Sequence, residues 1–212
     1  MTDPSGILPQ GASDAPATAR NRDAILAVLK DHLPAEGAIL EIASGTGQHA
    51  AYLAPHFAPR PWLPTDYDPQ RFESIRAWTK AAETVQAPQV LDAQTNPWPV
   101  ERGPAIRPAI TSILCINMIH ISPWTATLGL MAGAARVLAP GAVLYLYGPF
   151  KQGGRHTAPS NASFDDSLKA RDPDWGVRDL EAVMDVAESQ CFQHRATLEM
   201  PANNLSVVFE RY

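Results

Sequence analysis

The stretch Glu41-Ile-Ala-Ser-Gly-Thr-Gly-Gln-His49 carries the strongest indication of the fold. An apolar strand is expected over residues 38–43, and it runs directly into two glycines and then into residues that favour a helix. Gly45 can adopt a positive φ, and Gly47 allows the backbone to come within contact distance of a ligand. Such a turn can aim amide N–H groups at a bound nucleotide. The stretch therefore predicts a nucleotide-cofactor loop between a strand and a helix.

On both sides of the loop, apolar runs alternate with helical patterns. A helical stripe covers residues 25–33, and the pairs Asp68-Pro69 and Ser122-Pro123 are typical of helix starts. Runs rich in Val, Ile, Leu and Tyr suit strands buried on both faces, and they lie at residues 89–91, 110–116 and 142–147. This alternation predicts an α/β fold with a doubly wound, mostly parallel sheet and helices on both faces.

The C-terminal part of the chain departs from this alternation. A helical pattern at 177–188 is followed by strand-like runs at 193–200 and 205–209, which the tight connection Pro201-Ala-Asn-Asn204 joins. An antiparallel strand pair is therefore expected to close the parallel sheet. The arrangement resembles the Rossmann-like, seven-stranded sheet of S-adenosylmethionine-dependent methyltransferases, and it is unlike an ordinary nicotinamide-binding half-domain.

The loop alone does not choose between NAD and S-adenosylmethionine, because Gly45-Thr-Gly-Gln-His-Ala50 also satisfies the dinucleotide fingerprint. Asp66 follows Gly45 by 21 positions, at the end of the next expected strand. Its carboxylate can accept two hydrogen bonds from a ribose diol. Asp68 is expected to cap the following helix, so the ribose is assigned to Asp66. Prolines at 59, 61 and 64 predict that the strand before Asp66 is short.

Three further features favour the methyl donor. The resemblance to methyltransferases implies that Glu41 helps to hold the methionine amino group and that Asp92 receives the adenine amine. An ion-pair partner and a turn-forming aspartate are the respective alternatives. Tyr147-Gly-Pro-Phe-Lys151 has a dehydrogenase-like spacing, but Gly148-Pro149 ends a strand and prevents the helix that such a pair needs.

A more specific resemblance rests on six segments, which are Glu41-Ile-Ala-Ser-Gly-Thr-Gly-Gln-His49, Thr65-Asp-Tyr-Asp-Pro69, Cys115-Ile-Asn-Met-Ile-His-Ile-Ser-Pro-Trp124, Tyr147-Gly-Pro-Phe-Lys151, Gly154-Arg-His-Thr157 and Met200-Pro-Ala-Asn-Asn204. Together they resemble the methyltransferase-like protein 26 family, a group of small methyltransferase-fold proteins known as a domain of unknown function. The resemblance covers nearly the whole chain after about residue 20. It implies the fold and S-adenosylmethionine as cofactor, and it leaves the methyl acceptor open.

The predicted cofactor site also includes Ser44, Tyr67 and Asn117. Ser44 lies in the loop, and Tyr67 could lie against adenine or belong to the core. Asn117 follows the fourth expected strand in the segment Asn117-Met-Ile-His120, which departs from the Asn-Pro-Pro-aromatic motif of methyltransferases that modify nucleic acids and proteins. His120 is the candidate general base, because imidazole titrates near neutral pH and can accept a proton from a hydroxyl or thiol. A histidine satisfied by a backbone carbonyl is the alternative.

The long connection at residues 148–174 is expected to act as a lid over the acceptor. Arg155, with His156 beside it, is assigned to an anionic group of the acceptor, and a solvated basic turn is the alternative. Asn203 and Asn204 could extend their amides into the same pocket or form the turn of the hairpin. Trp124 could form a wall of the acceptor site or belong to the core.

Composition narrows the class of partner. The 212 residues suggest one domain at 18–212 after a flexible tail at 1–17 that is rich in Pro, Gly, Ser and Ala. The chain has 17 Lys and Arg against 22 Asp and Glu and no basic block, so we expect neither nucleic acid nor membrane as a partner. The expected partner is a small molecule. Cys115 and Cys191 form neither a metal-binding pattern nor a disulfide framework, so we expect no metal and a cytoplasmic location.

The favoured hypothesis is a methyltransferase that uses S-adenosylmethionine and acts on a small, anionic acceptor with an oxygen or sulfur nucleophile. Two alternatives stay open: a non-catalytic cofactor-binding protein with the same fold and, more distantly, an NAD-dependent oxidoreductase. The sequence does not choose the acceptor, its nucleophilic atom or the oligomeric state.

Overall fold

A seven-stranded sheet forms the centre of the computed structural model, which describes residues 8–102 and 108–212. In chain order the strands are β1 (Ala38–Ile42), β2 (Trp62–Asp66), β3 (Gln89–Val90), β4 (Ile110–Ile116), β5 (Val143–Gly148), β6 (Lys151–Gln152), β7 (Arg155–His156), β8 (Phe192–Met200) and β9 (Asn204–Arg211). The sheet has the order β3-β2-β1-β4-β5-β9-β8, while β6 and β7 pair separately as a hairpin.

The directions of the strands confirm the predicted sheet. Neighbours among β1 to β5 are parallel, whereas β9 runs antiparallel to both β5 and β8. The proline-rich strand is short, as expected: β2 has five residues against seven in β4. Its internal proline, Pro64, lies opposite Glu41 of β1 in the register.

Helices cover both faces of the sheet. They are α1 (Pro16–His32), α2 (Gln48–Leu53), α3 (Phe72–Thr79), α4 (Pro99–Arg102), α5 (Trp124–Val137), α6 (Pro159–Lys169) and α7 (Leu180–Ser189). One buried cluster joins α5 and α7 to the first face, and a second cluster joins α1 and α2 to the other. Within residues 8–102 and 108–212, no helix combines the length and apolar character that crossing a membrane requires.

The side chains of the inner strands alternate between these two clusters. In β5, Leu144 and Leu146 enter the cluster with α5 and α7, whereas Tyr145 and Tyr147 enter the cluster with α1 and α2. All four are almost completely buried. The strand is therefore apolar without a break because helices cover both of its faces.

Of the two helix starts predicted from proline pairs, one has a side-chain cap and the other does not. Asp68 caps a short 3₁₀ turn before α3, and its Oδ1 accepts a hydrogen bond from the amide of Gln70 (3.0 Å). Ser122 does not cap α5. Its hydroxyl donates backwards to the carbonyl of Met118 (2.8 Å), and α5 begins at Trp124 without a side-chain cap.

The predicted N-terminal tail also differs from the structure. Residues 1–7 of that tail lie outside the described residues, and Pro16 already begins α1. The segment between them, residues 8–15, is here called the N-terminal strap. The predicted boundary after residue 17 is therefore too late, because proline at the first helical position starts the helix earlier.

Side chains of α2 and α3 hold the N-terminal strap in place. The amide of Ser13 donates to Ser74 Oγ (2.9 Å), and its carbonyl accepts from Trp78 Nε1 (2.8 Å). The amide of Ala15 donates to Gln48 Oε1 (2.6 Å). The strap is thus attached to the two helices that follow β1 and β2.

Candidate functional site

A cleft of about 540 Å³ lies at the carboxyl ends of β1, β2 and β4. Its walls come from the loop after β1, the end of β2, the segments that follow β3 and β4, and the start of α1. Open α/β sheets bind their ligands at this edge. All of the predicted cofactor residues except Gly47 line the cleft, namely Glu41, Ser44, Gly45, Asp66, Tyr67, Asp92 and Asn117.

The two glycines of the loop have different tasks. Gly45 has φ +58°, and a Cβ built on it would meet nothing within 4 Å, so there is free space beside its backbone. Gly47 has φ +86°, but a Cβ there would stand 2.6 Å from Cα of Ile75 in α3. Gly47 therefore allows α3 to pack against the loop. The expectation that it brings the backbone to a ligand has no support in this geometry.

Asp66 is held at the cleft by backbone donors. Its Oδ2 accepts from the amide of Gly45 (2.9 Å) and its Oδ1 from the amide of Asp68 (3.0 Å). Only 4% of the residue is exposed, and burial raises the pKa of its carboxyl although both amides act in the opposite direction. Each oxygen keeps a second lone pair, so the carboxylate can still accept hydrogen bonds from a ligand.

Glu41 lies deeper, in the wall formed by β1. Its Oε2 accepts from the hydroxyl of Ser44 (2.8 Å) and from the indole Nε1 of Trp62 (3.0 Å). Burial raises the pKa of this carboxyl above its ordinary value, against the two hydrogen bonds that lower it. Both of these bonds go to Oε2, which leaves Oε1 to a ligand in the cleft.

The remaining predicted cofactor residues stand around the rim. Tyr67 is 69% exposed, so its ring is accessible to a flat ligand. Asp92 lines the cleft and also forms a turn, because its Oδ1 accepts from the amide of Gln94 (2.9 Å). Asn117 has φ +64°, and its amide donates to the carbonyl of Tyr147 (2.7 Å), which fixes it where β4 and β5 end.

His120 does not fit the predicted role of general base. The 3₁₀ turn at Met118–His120 directs its ring into the core, where the residue has no exposed surface and does not line the cleft. Its Nδ1 accepts from the amide of Arg178 (3.2 Å), so the ring proton sits on Nε2, which is buried without a partner among the described residues. Burial, with Arg178, lowers the pKa to about 3. His120 is therefore placed as a core residue; the alternative named a backbone carbonyl as its partner, whereas the partner found is the backbone amide of Arg178.

The predicted acceptor residue Trp124 is also outside the cleft. It begins α5 and packs against the core, and the guanidinium of Arg178 lies 5.7 Å from its ring. Arg178 belongs to the loop between α6 and α7. That loop also carries another tryptophan, Trp175, which does line the cleft. Gly176 next to it donates its amide to the carbonyl of His120 (2.9 Å). His120 and Arg178 thus hold the loop that carries Trp175.

The predicted lid is an ordered unit built on one buried carboxylate. It contains the β6–β7 hairpin and α6, and Asp165 of α6 lies close to Lys151 Nζ (3.1 Å), His156 Nε2 (3.2 Å) and Lys169 Nζ (2.8 Å). Burial raises the pKa of Asp165, but hydrogen bonds from Lys169, from the Val177 amide and from Lys151 outweigh it and lower the pKa to about 2. His156 therefore belongs to this cluster.

Arg155, Asn203 and Asn204 do not line the cleft either. Arg155 is exposed on β7. Asn203 has φ +59° in the connection between β8 and β9, and Asn204 donates through Nδ2 to the phenolic oxygen of Tyr147 (3.0 Å). These positions agree with the alternatives, a basic turn and a hairpin connection.

Sequence reasoning missed several residues of the cleft. Among them are Ala15 of the strap, Ala17 and Thr18 at the start of α1, His49 in α2 and Trp175 in the loop before α7. His49 was within the motif itself, and its position in the first helical turn after the glycines was the available signal. Trp175 and the strap residues carry no pattern that a single sequence reveals. In the part of the chain that the structure describes, no group of three His, Cys, Asp or Glu is arranged for a metal ion.

A family model described as "Protein of unknown function (DUF938)" matches residues 12–211. Among solved structures, the pyocyanin biosynthetic protein PhzM is similar with a TM-score of 0.72 and 14% identity, over 92% of this chain and 56% of that chain. The mitomycin 7-O-methyltransferase MmcR is similar with a TM-score of 0.74 and 13% identity, over 92% of this chain and 54% of that chain. Human N-acetylserotonin methyltransferase, in complex with S-adenosylmethionine, has a TM-score of 0.67 and 12% identity, over 90% of this chain and 54% of that chain.

The chain spans little more than half the length of these solved proteins. At this level of identity the likeness concerns the fold. The seven-stranded sheet with its antiparallel C-terminal pair is the fold of these methyltransferases.

Proposed function

The chain belongs to the DUF938 family of proteins of unknown function, and from its cleft we propose that it is an S-adenosylmethionine-dependent methyltransferase. One observation carries the proposal: the carboxylate of Asp66 and the amide of Gly45 are joined at the cleft wall, 2.9 Å apart. The Asp66 carboxylate can accept hydrogen bonds from a ribose diol, and the Gly45 backbone beside it borders free space, so the contact supports the proposal. The fold shared with solved methyltransferases supports the same conclusion.

The charge of the cleft suits this cofactor, which carries a sulfonium cation. Glu41, Asp66 and Asp92 line the cleft. Arg71 is the one arginine or lysine among the described lining residues, and its guanidinium lies 3.8 Å from the carboxylate of Asp68. A cationic ligand is therefore favoured over an anionic one.

Each part of the cofactor has a partner among the lining residues. Asp66 would hold the ribose, Asp92 the adenine amine and Tyr67 the face of the adenine ring, while Glu41 would hold the methionine end. When bound, S-adenosylmethionine supplies an electrophilic methyl group. The chain contributes by orienting the acceptor and by excluding water. Asn117, where β4 and β5 end, is suited to orient a polar group of the acceptor.

For the acceptor we propose a small molecule with an oxygen or sulfur nucleophile. The names of the similar structures support this class, since one is a mitomycin 7-O-methyltransferase and another O-methyltransferase was solved with apigenin. The expectation that the acceptor is anionic rested on Arg155, which lies outside the cleft. We therefore leave the negative charge out of the proposal.

The finer family assignment is also a proposal. The six segments that resemble the methyltransferase-like protein 26 family lie within residues 12–211, the range of the DUF938 match. Three of them, at 41–49, 65–69 and 115–124, contribute residues to the cleft. We propose that the chain is a member of that family.

Calorimetric titration with S-adenosylmethionine tests the proposed cofactor. We expect saturable binding by the unmodified chain and a loss of about tenfold to a hundredfold in affinity for Asp66→Asn, because a hydrogen bond to a charged group contributes roughly 1.5–3 kcal/mol. Asp31→Asn is the matched control, since Asp31 is exposed on α1. Absence of saturable binding by the folded chain would refute the cofactor assignment.

A second candidate function is a cofactor-binding protein that does not catalyse transfer. One observation favours it: His120, the predicted base, is buried behind the cleft. The two functions are separated by incubating the chain with S-adenosylmethionine and a small-metabolite extract. A methyltransferase forms S-adenosylhomocysteine only when the extract is present, whereas a binding protein keeps the methyl donor intact.

A further inference from the structure

His49 is the lining residue whose chemistry the proposed function does not yet use. It stands in the first turn of α2, immediately after the glycine loop, and its ring lines the cleft together with Glu41, Ser44 and Thr18. The inference below rests on the proposed function, because it concerns how this residue meets the bound cofactor.

Hydrogen bonds at the back of the ring determine where its proton lies. His49 Nε2 is 2.9 Å from Oδ1 of Asn21, an oxygen that can only accept, so Nε2 carries the proton. Burial raises the pKa of Tyr147, while the side chain of Asn21 acts in the opposite direction, as a hydrogen-bond donor does, and the phenolic oxygen accepts from Asn204 Nδ2 (3.0 Å). This chain of contacts fixes the tautomer and leaves Nδ1 as the acceptor atom of the ring.

Nδ1 is available to a ligand. Among residues 8–102 and 108–212 it has no hydrogen-bond partner, and it does not belong to the fully enclosed polar atoms without one. Burial, and to a smaller extent Arg22, lowers the pKa of His49 to about 4. The ring is therefore neutral near pH 7 and can approach a cation without repulsion.

Glu41 is a further lining residue with a free acceptor. Its Oε2 is engaged by Ser44 and Trp62, and Oε1 is left. Nδ1 of His49 and Oε1 of Glu41 are both acceptors on residues of the cleft wall, and such a pair recognises a donor with positive charge, whereas a carboxylate would face the Glu41 carboxylate and a lone pair. In S-adenosylmethionine the group that combines a positive charge with hydrogen-bond donors is the ammonium of the amino-acid arm, since the sulfonium has no polar hydrogen to donate.

We propose that Nδ1 of His49 accepts a hydrogen bond from the ammonium group of the cofactor's amino-acid arm and shares that group with Glu41. Asn21 is a positioning residue, because it fixes the tautomer and orientation of the ring. His49 thus selects ligands that carry the complete arm over nucleosides that lack it.

Calorimetry with three ligands tests this assignment. S-Adenosylmethionine carries the complete arm, its decarboxylated form keeps the amine, and 5′-methylthioadenosine lacks the arm. His49→Ala is expected to weaken binding of the first two by about tenfold to a hundredfold and to leave the third within about twofold. His56→Ala is the matched control, because His56 is exposed in the turn after α2 and does not line the cleft.

Two results would overturn the assignment, and a third would refute the proposed function. Equal losses for all three ligands would mean that His49 only shapes the cleft. A loss for S-adenosylmethionine that the decarboxylated form does not share would assign His49 to the carboxylate. Failure of the unmodified, folded chain to bind any of the three would refute the proposed function instead.

A measurement on the unmodified chain covers the case in which His49→Ala does not fold. Selective ¹⁵N labelling of histidine allows the Nδ1 resonance of His49 to be followed during titration. We expect it to shift with S-adenosylmethionine and with the decarboxylated form, and to stay in place with 5′-methylthioadenosine. A shift of the same size with all three ligands would contradict the proposal.

Discussion

At the scale of single residues, the two glycines of the loop after β1 look equivalent in the sequence but have different surroundings in the structure. Both glycines adopt a positive φ, yet Gly45 borders free space while Gly47 borders the backbone of Ile75. A side chain at Gly45 would extend into the free space of the cleft, whereas a side chain at Gly47 would collide with the backbone of α3. Substitution of each glycine can therefore distinguish binding from stability.

We expect Gly47→Ala to lower the free energy of unfolding by about 2–5 kcal/mol, because the left-handed conformation costs roughly 1–2 kcal/mol and the contact with Ile75 adds roughly 1–3 kcal/mol. Gly45→Ala should cost only the conformational part, about 1–2 kcal/mol. Urea titration of the two variants measures the difference. Equal losses would show that α3 moves aside to accommodate the new Cβ.

The acids of the cleft could be predicted because each lies at or near the carboxyl end of an expected strand, and parallel strands bring their carboxyl ends to one edge. Asp66 and Asp92 are examples. The fate of the two histidines could not be predicted in this way. Whether His120 or His49 faces the cleft depends on a single 3₁₀ turn after β4 and on the packing of α1, and neither leaves a pattern in the sequence.

At the scale of elements, the strands of the main sheet were predicted, including the two-residue strand β3, whereas the separate β6–β7 hairpin was missed. β4 spans residues 110–116 as expected, because five of its seven residues are apolar and four of these are consecutive, at 113–116. The β6–β7 hairpin has two residues in each strand, too few to show alternation. The Asp165 cluster that attaches it to α6 joins residues distant in sequence, so no local pattern announces it.

The Asp165 cluster gives a prediction for this unit. Asp165→Asn keeps the shape of the side chain but leaves Lys151 and Lys169 without their shared carboxylate. We expect the free energy of unfolding to fall by about 1–3 kcal/mol, less than for a fully buried pair because both lysines reach solvent. Thermal unfolding measures this loss.

The neighbouring carboxylate supplies the control for that experiment. Asp166 is exposed on the same helix, so Asp166→Asn should leave the transition unchanged. A loss of the same size in both variants would mean that the net charge of α6 matters and that the cluster does not.

At the scale of the whole molecule, the fold was predictable and the acceptor was not. Alternating helices and strands, closed by an antiparallel pair, are a property of the entire chain and survive errors of a few residues in single elements. The acceptor depends on which side chains of distant segments reach the cleft. Arg155 and Trp124 were reasonable candidates by position, but Arg155 lies on β7 and Trp124 at the start of α5, and neither lines the cleft.

Stability of the whole molecule should depend on pH through His120. Its pKa is lowered from 6.5 to about 3 in the folded chain, so between these values the unfolded chain binds a proton that the folded chain excludes. The free energy of unfolding should therefore fall as pH falls below about 6.5. By pH 5 the contribution of this residue is about 2 kcal/mol.

Urea titrations at pH 7 and pH 5 check this dependence by comparing the unmodified chain with His120→Gln. The variant is expected to be less stable at pH 7 but to lose about 2 kcal/mol less on acidification. The difference between the two losses of stability from pH 7 to pH 5 isolates His120 from the other titrating groups. Identical losses would show that the ring is protonated in the folded chain at pH 5.

The strand order also bears on how the molecule is made on the ribosome. β8 is synthesised before β9, yet in the described sheet β9 lies between β8 and β5. Until residues 204–211 have left the exit tunnel, β8 has no strand to pair with and the edge of β5 stays uncovered. An open edge of this kind invites pairing with other chains. A pause in translation between β8 and β9 therefore prolongs the exposure of this edge and favours aggregation of the unfinished chain.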